Sequence, residues 1–246
     1  MSAGTAIVVA SGKGGTGKTS LTGGVASCLA RMGRSVLCID MDVGLRNLDI
    51  SLGMTDRALM DFSDVIEGRC PLDRAAVSHP ELGGLALLTA PMRLPPSVDE
   101  AAMTALLNEA RARYDYVLLD APAGLDAGFR LAACAADRGI VVATSDASSL
   151  RDAQRTVGEL GRLRTVHLVV NRVEPKLLRR LRTTIDDAMD TTGLPLLGVV
   201  PEDKHVTLSA NAGRPLILTT RRGAANAYGN IALRLEGRRV PIMHIR

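Results

Sequence analysis

The chain has no Trp and only 2 Phe and 3 Tyr in 246 residues. With aromatics this scarce the core must be aliphatic, and stacking platforms for single-stranded nucleic acid are few. No apolar run reaches the ~20 residues that a membrane-spanning helix needs. Met1–Ala10 carries no basic segment ahead of its apolar run, so it does not read as a secretory signal. Cys28, Cys38, Cys70 and Cys134 are scattered, with no closely spaced pair of the metal-binding kind. That usage points to a reduced, cytoplasmic chain with structural thiols. Lysine is the scarcest charge, 4 against 26 Arg, yet two of the four, Lys13 and Lys18, share one glycine-rich segment.

The residues that are present read as a folded domain, 46% hydrophobic and 23% charged. Positions 1–215 are nearly neutral at net −1, whereas 216–246 carry net +5. The basic balance therefore belongs to the last helix and tail, not to a general polyanion-binding surface. Near-continuous aliphatic runs predict strands at Thr5–Ala10, Ser35–Asp40, Leu85–Thr89, Tyr116–Asp120, Gly139–Ala143, Thr165–Asn171 and Leu196–Val200. Helical spacing falls between them at Leu21–Arg31, Val98–Arg113, Ala127–Ala136, Ser149–Leu163 and Lys176–Met189. The alternation predicts an α/β fold, a mostly parallel sheet flanked by helices on both faces. No repeat or linker interrupts it, so one domain is expected over 1–237, followed by a basic tail at 238–246. In such a sheet ligands bind at the carboxyl ends of strands, which directs attention to the residues after each strand.

After the first strand comes Ser11-Gly12-Lys13-Gly14-Gly15-Thr16-Gly17-Lys18-Thr19-Ser20, in which Gly12 to Thr19 fits G-x-x-x-x-G-K-[ST]. Glycines let backbone N–H groups turn inward around phosphate oxygens, and the following helix adds its positive N-terminal dipole. Lys18 is expected to reach the β- and γ-phosphates of a nucleotide, and the Thr19 hydroxyl to ligate Mg²⁺. A simple phosphate loop requires no charge at position 13. The pattern K-G-G-T-G-K-T with that extra lysine resembles the deviant phosphate loop of the ParA/MinD superfamily of dimeric ATPases. The resemblance implies a P-loop NTPase fold, ATP and Mg²⁺ as ligands, hydrolysis of ATP to ADP and phosphate, and an ATP-dependent homodimer. It also implies that Lys13 crosses to the partner's nucleotide, acting as an arginine finger does on the transferring phosphoryl group.

Two strand ends supply carboxylates. Asp40 and Asp42 lie two apart at the end of the second strand and are expected to project to one side. Asp42 is the candidate for orienting the attacking water, with Asp40 supporting the metal or its water shell. Asp120 ends Tyr116-Val-Leu-Leu-Asp120 and is expected to hold Mg²⁺ through a bound water. Gly124 in the following Ala121-Pro-Ala-Gly124 allows a close backbone approach to a γ-phosphate. The runs Asp42-Val-Gly-Leu-Arg-Asn-Leu-Asp49 and Met60–Gly68 resemble the MinD branch of the superfamily, the septum-site-determining ATPases. That likeness extends to about residue 240.

By this resemblance Asn171-Arg172 and Pro201-Glu202-Asp203 surround the adenine, the Asn amide being able to pair with a base edge. The implied role is placement of the division septum by recruiting a MinC-like inhibitor at the inner face of the cell membrane, with a MinE-like activator as a further partner. MinD proteins normally continue into an amphipathic helix that lies in the membrane interface. Here Pro241 opposes a helix, and the tail offers three Arg and a few apolar residues to anionic lipid. A core-packing or disordered tail is the favoured expectation. Two other readings share the scaffold: a DNA- or cargo-positioning ParA-type or flagellar-number ATPase, and a metallocluster carrier. The neutral body makes specific nucleic-acid binding an unfavoured reading, and the dispersed Cys offer no obvious cluster site.

Overall fold

A computed structural model describes residues 3–243. β1 (Thr5–Ala10) leads through the glycine-rich loop into α1 (Lys18–Arg31) and β2 (Val36–Asp40). Three short helices follow, α2 (Leu48–Leu52), α3 (Phe62–Ile66) and α4 (Leu72–Ala75), then β3 (Val77–Ser78) and β4 (Leu85–Leu88). The chain continues as α5 (Glu100–Arg113), β5 (Tyr116–Asp120), α6 (Ala127–Ala133), β6 (Arg138–Ala143), α7 (Ala147–Glu159) and β7 (Thr165–Val173). It ends with α8 (Pro175–Leu181), α9 (Ile185–Thr192), β8 (Leu196–Pro201), α10 (Lys204–Asn211), α11 (Leu216–Thr219) and α12 (Ala224–Leu235).

The strands form one sheet in the order β3-β4-β2-β5-β1-β6-β7-β8, with only the edge pair β3–β4 antiparallel. Alternation along each strand distributes the apolar side chains to two cores. Ala6, Val8 and Ala10 of β1 join Leu106 and Leu107 of α5, Phe129 of α6 and Ala153 of α7 on one face. Ile7 and Val9 join Leu21, Val25 and Leu29 of α1 and Tyr228 and Ile231 of α12 on the other. Burial on both faces is why the strands read as unbroken aliphatic runs. Each fully buried Leu or Ile here contributes about 1.5–3 kcal/mol. The parallel register also sets Asp40 beside Asp120 at the carboxyl edge.

The expected α/β architecture is therefore observed, with local differences. The helix expected over Lys176–Met189 is two helices. Arg182 adopts a left-handed conformation (φ 52°) that ends α8, and Thr184 opens α9 with a capping box through Asp187. The helix expected from Val98 starts at Glu100, because the Asp99 carboxylate accepts from Ala102 N–H at 2.8 Å. α1 begins at Lys18, three residues before the apolar periodicity starts. The tail is ordered as far as it is described. Arg234 donates to the carbonyls of Val240 and Pro241, each at 2.9 Å, and Met243 packs against the α1/α12 core. Positions 244–246 lie outside the described residues.

Candidate functional site

The glycine-rich loop turns at the carboxyl end of β1, where Gly15 (φ 79°) and Gly17 (φ 87°) take the left-handed conformation that glycine permits. The N-terminus of α1 has no side-chain cap, whereas Asp99, Asp126, Asp146, Thr184 and Asp203 cap α5, α6, α7, α9 and α10. The first N–H groups of α1 are thus left for an outside acceptor, and with the helix dipole they suit an anion. Thr16 Oγ1 is buried with no partner. Nothing lies within 4 Å of where a Cβ on Gly15 would sit, so the cradle is open there. These features fit a bound phosphate chain.

Lys18 is buried, and its ammonium donates to Ser11 Oγ at 2.9 Å. Burial pulls its pKa down, while the charges of Asp120 and Asp42 push it back up. Asp120 is buried behind the loop, with the Thr22 hydroxyl 3.2 Å from it. Burial raises its pKa to about 7, against the Thr19 and Thr22 hydroxyls and Lys18, which favour the ionised form. A hydroxyl and a carboxylate so placed suit Mg²⁺, which binds through one or two protein oxygens, substrate phosphates and water.

The loop opens into a cleft of about 600 Å³. It is lined by Gly14, Gly15, Gly17, Lys18, Thr19 and Ser20, by Asp42 after β2, by Asn171-Arg172 in β7 and by Pro201-Glu202-Asp203 at the end of β8. Four distant segments of the sequence thus meet at one site. Six expected site residues, Gly12, Lys13, Thr16, Asp40, Asp120 and Gly124, do not line it. Gly12 packs on α7, where any Cβ would come within 2.4 Å of the Asp152 carbonyl oxygen.

Asp40 departs from its expected placement beside Asp42. Its oxygens accept from the N–H groups of Asp42 (2.9 Å) and Leu48 (3.1 Å), so it organises the loop that carries Asp42 and does not face the cleft. Burial raises its pKa to about 6 despite those two bonds. Asn171 lines the cleft and has a further role: one N–H of its amide donates to the Thr16 carbonyl at 2.7 Å, clamping the phosphate loop. Asp203 accepts from His205 N–H (2.9 Å) and Ala224 N–H (3.0 Å). Arg172 bridges Glu202 (2.7 Å) and the Gly15 carbonyl (3.2 Å), tying the β8 exit to the loop.

Lys13 points away from its own cradle. Its ammonium donates to Ser148 Oγ at 3.0 Å and lies 3.7 Å from Asp146, at the start of α7, with nearly half of its side chain exposed. Burial opposes ionisation of Asp146. The Thr144 and Ser148 hydroxyls and the Ser149 N–H more than offset it, holding the carboxyl well below the usual range. Ser11, Asp146 and Ser148 were not among the expected site residues. The first stands next to the loop motif, and the others leave the strand end at Ala143, where the carboxyl-end rule also points.

Gly17 is the glycine of the loop that faces Asn171, and it is tightly constrained. A Cβ there meets Asn171 Nδ2 at 2.3 Å, and φ is left-handed. Gly17→Ala is expected to cost at least ~1–2 kcal/mol in stability and to weaken nucleotide binding at least about tenfold through the displaced loop. Thermal melting and titration with a fluorescent nucleotide test both.

Comparison with known proteins identifies a nucleotide-binding family. Residues 7–216 match the family model of the CobQ/CobB/MinD/ParA nucleotide binding domain. The septum site-determining protein MinD of Synechocystis is 38% identical over 96% of this chain and 91% of its own length. That of Bacillus subtilis is 37% identical over 97% and 91%. The MinC:MinD cell division complex of Aquifex aeolicus superposes with a TM-score of 0.91 at 35% identity, covering 98% of each chain. The Pyrococcus horikoshii septum-site protein MinD complexed with Mg-ADP gives 0.82 at 27% identity, covering 94% of this chain and 96% of that one.

Proposed function

This chain belongs to the CobQ/CobB/MinD/ParA nucleotide-binding family and, within it, to the MinD septum-site-determining proteins, and on that premise we propose that it is an ATP-dependent dimerisation switch for placing the division septum. ATP joins two subunits with their phosphate loops facing, and hydrolysis to ADP and phosphate releases them. Residues 1–237 act as the ATPase unit, followed in sequence by the basic tail at 238–246, of which Val240, Pro241 and Met243 rest against α12 and its core.

The observation that carries this reading is the separation of the two lysines. Lys18 is buried in the cradle, while Lys13 stands outside it against Ser148. A lysine that serves its own phosphates would line its own cleft. A lysine held outside its own cleft, half-exposed against Ser148, supports a role toward the subunit opposite. Lys18 and the loop N–H groups bind the phosphates, and Asp42 orients the water for in-line attack. Lys13 of the partner neutralises charge developing on the phosphoryl oxygens. Thr19 and Asp120 would hold Mg²⁺, which when bound supplies charge neutralisation to the β- and γ-phosphates. Leu45, Val206 and Tyr228 supply apolar wall to the cleft, and base recognition falls to this region and the β8 exit.

The dimer presents its surface to a MinC-type inhibitor. This partner is suggested by the Aquifex complex, in which the related MinD is joined to MinC. No helix among the described residues is long and apolar enough to cross a membrane. The attachment proposed is peripheral, at the inner face of the cell membrane, with the tail Arg residues facing anionic lipid. Light scattering tests the switch. A non-hydrolysable ATP analogue with Mg²⁺ should double the mass and ADP should not; equal masses in the two would reject it. Co-sedimentation with anionic liposomes, with and without 238–246, tests the tail.

A further inference from the structure

We propose that Ser11 is a positioning residue for phosphoryl transfer. Its hydroxyl fixes the Lys18 ammonium over the phosphate cradle and ties it to the backbone that carries Lys13. The role rests on the ATPase reading above.

Ser11 follows directly on β1 and is completely buried. It receives a hydrogen bond from Lys18 Nζ at 2.9 Å and gives one to the Lys13 carbonyl at 2.7 Å. Chemistry fixes both directions, since an ammonium only donates and a carbonyl only accepts. The single hydroxyl proton is therefore committed to Lys13, which turns a lone pair toward Lys18. A Lys ammonium has three donors. Holding one on Ser11 sets the rotation of the other two, which remain for phosphate oxygens. Asp120 and Asp42 also attract this charge. A neutral acceptor on the β1 side keeps the ammonium placed without adding a third negative charge beside the phosphates.

The second bond acts on the other lysine. With its carbonyl pinned from below, residue 13 has a fixed backbone from which its side chain extends to Ser148. One hydroxyl thus references both lysines, one for each active site of a dimer, to the rigid end of a central strand. A displaced ammonium matters most where charge develops in the transition state, because ground-state binding is shared with the backbone N–H groups.

The test compares Ser11→Ala and Ser11→Thr in the full chain, using ATP turnover with Mg²⁺ and titration of a fluorescent ATP analogue. S11A should lower kcat at least about tenfold and change the analogue's Kd by less than about threefold, while S11T, which keeps the hydroxyl, should stay within about threefold of wild type in both. S11A turnover within about twofold of wild type overturns the role, as does S11T failing as far as S11A. Equal falls in kcat and affinity in S11A assign Ser11 to packing and also overturn it. Absence of turnover in the wild-type chain rejects the ATPase reading itself, a result distinct from any behaviour of S11A.

Discussion

Lys13→Ala should lower ATP turnover by about 10³-fold, the lower end of what a cationic finger contributes to phosphoryl transfer, and leave nucleotide affinity in the monomer within about threefold. The asymmetry follows from where Lys13 sits. In the single subunit its ammonium is on Ser148 and near Asp146 and does not line the cleft. On the proposed trans role, its contribution would begin only when a second subunit brings a phosphate chain within reach. A fall in affinity as large as the fall in turnover would mean instead that Lys13 binds its own nucleotide. The comparison needs turnover at saturating ATP and a direct titration, because KM alone mixes the two.

Asp42→Ala should reduce kcat by about 10²–10⁴-fold, the range for a lost general base or water-orienting group, with the ATP-bound dimer persisting in place of dissociating. Asp42 lines the cleft on a loop held rigid by Asp40, whose two oxygens anchor the N–H groups of Asp42 and Leu48. It is half-buried; burial raises its pKa, and Lys18 opposes that shift. Removing Asp42 takes away no bond to the phosphate loop, so binding and dimerisation should survive. Size-exclusion chromatography after incubation with ATP and Mg²⁺ would follow it. A variant that hydrolyses ATP at near the wild-type rate would remove Asp42 from the mechanism and leave the water to another group.

Much of this was legible in the residues themselves. The central strands are fully buried and aliphatic, so their positions follow from composition alone, and the phosphate loop carries its own pattern. What escaped was decided by tertiary context. α2, α3 and α4 are four or five residues long, too short to show a helical period. Arg182 breaks a helix from a left-handed conformation that a non-glycine residue does not announce. Asp40 and Asp42 share a face in an ideal strand, but the chain turns after Asp40, and its carboxylate becomes the anchor of that turn. The bond from Asn171 to the Thr16 carbonyl was not foreseen, because that partner lies 155 positions away in the sequence. The two partners of Asp40, which are Asp42 and Leu48, are close in sequence but meet it only because the chain turns there.

The central claim is that Lys13 acts in the opposite subunit, and mixing two inactive variants tests it directly. A dimer of one Lys13→Ala and one Asp42→Ala subunit keeps one complete site if Lys13 works in trans: the Lys13→Ala subunit has its own Asp42 and receives Lys13 from its partner. In an equimolar mixture the account predicts recovery to about a quarter of wild-type turnover, since half of randomly paired C₂ dimers are mixed and each has one working site. If Lys13 works in cis, neither subunit of the mixed dimer holds both groups. A mixture as inactive as its components, with mixed dimers shown to form, would contradict the account.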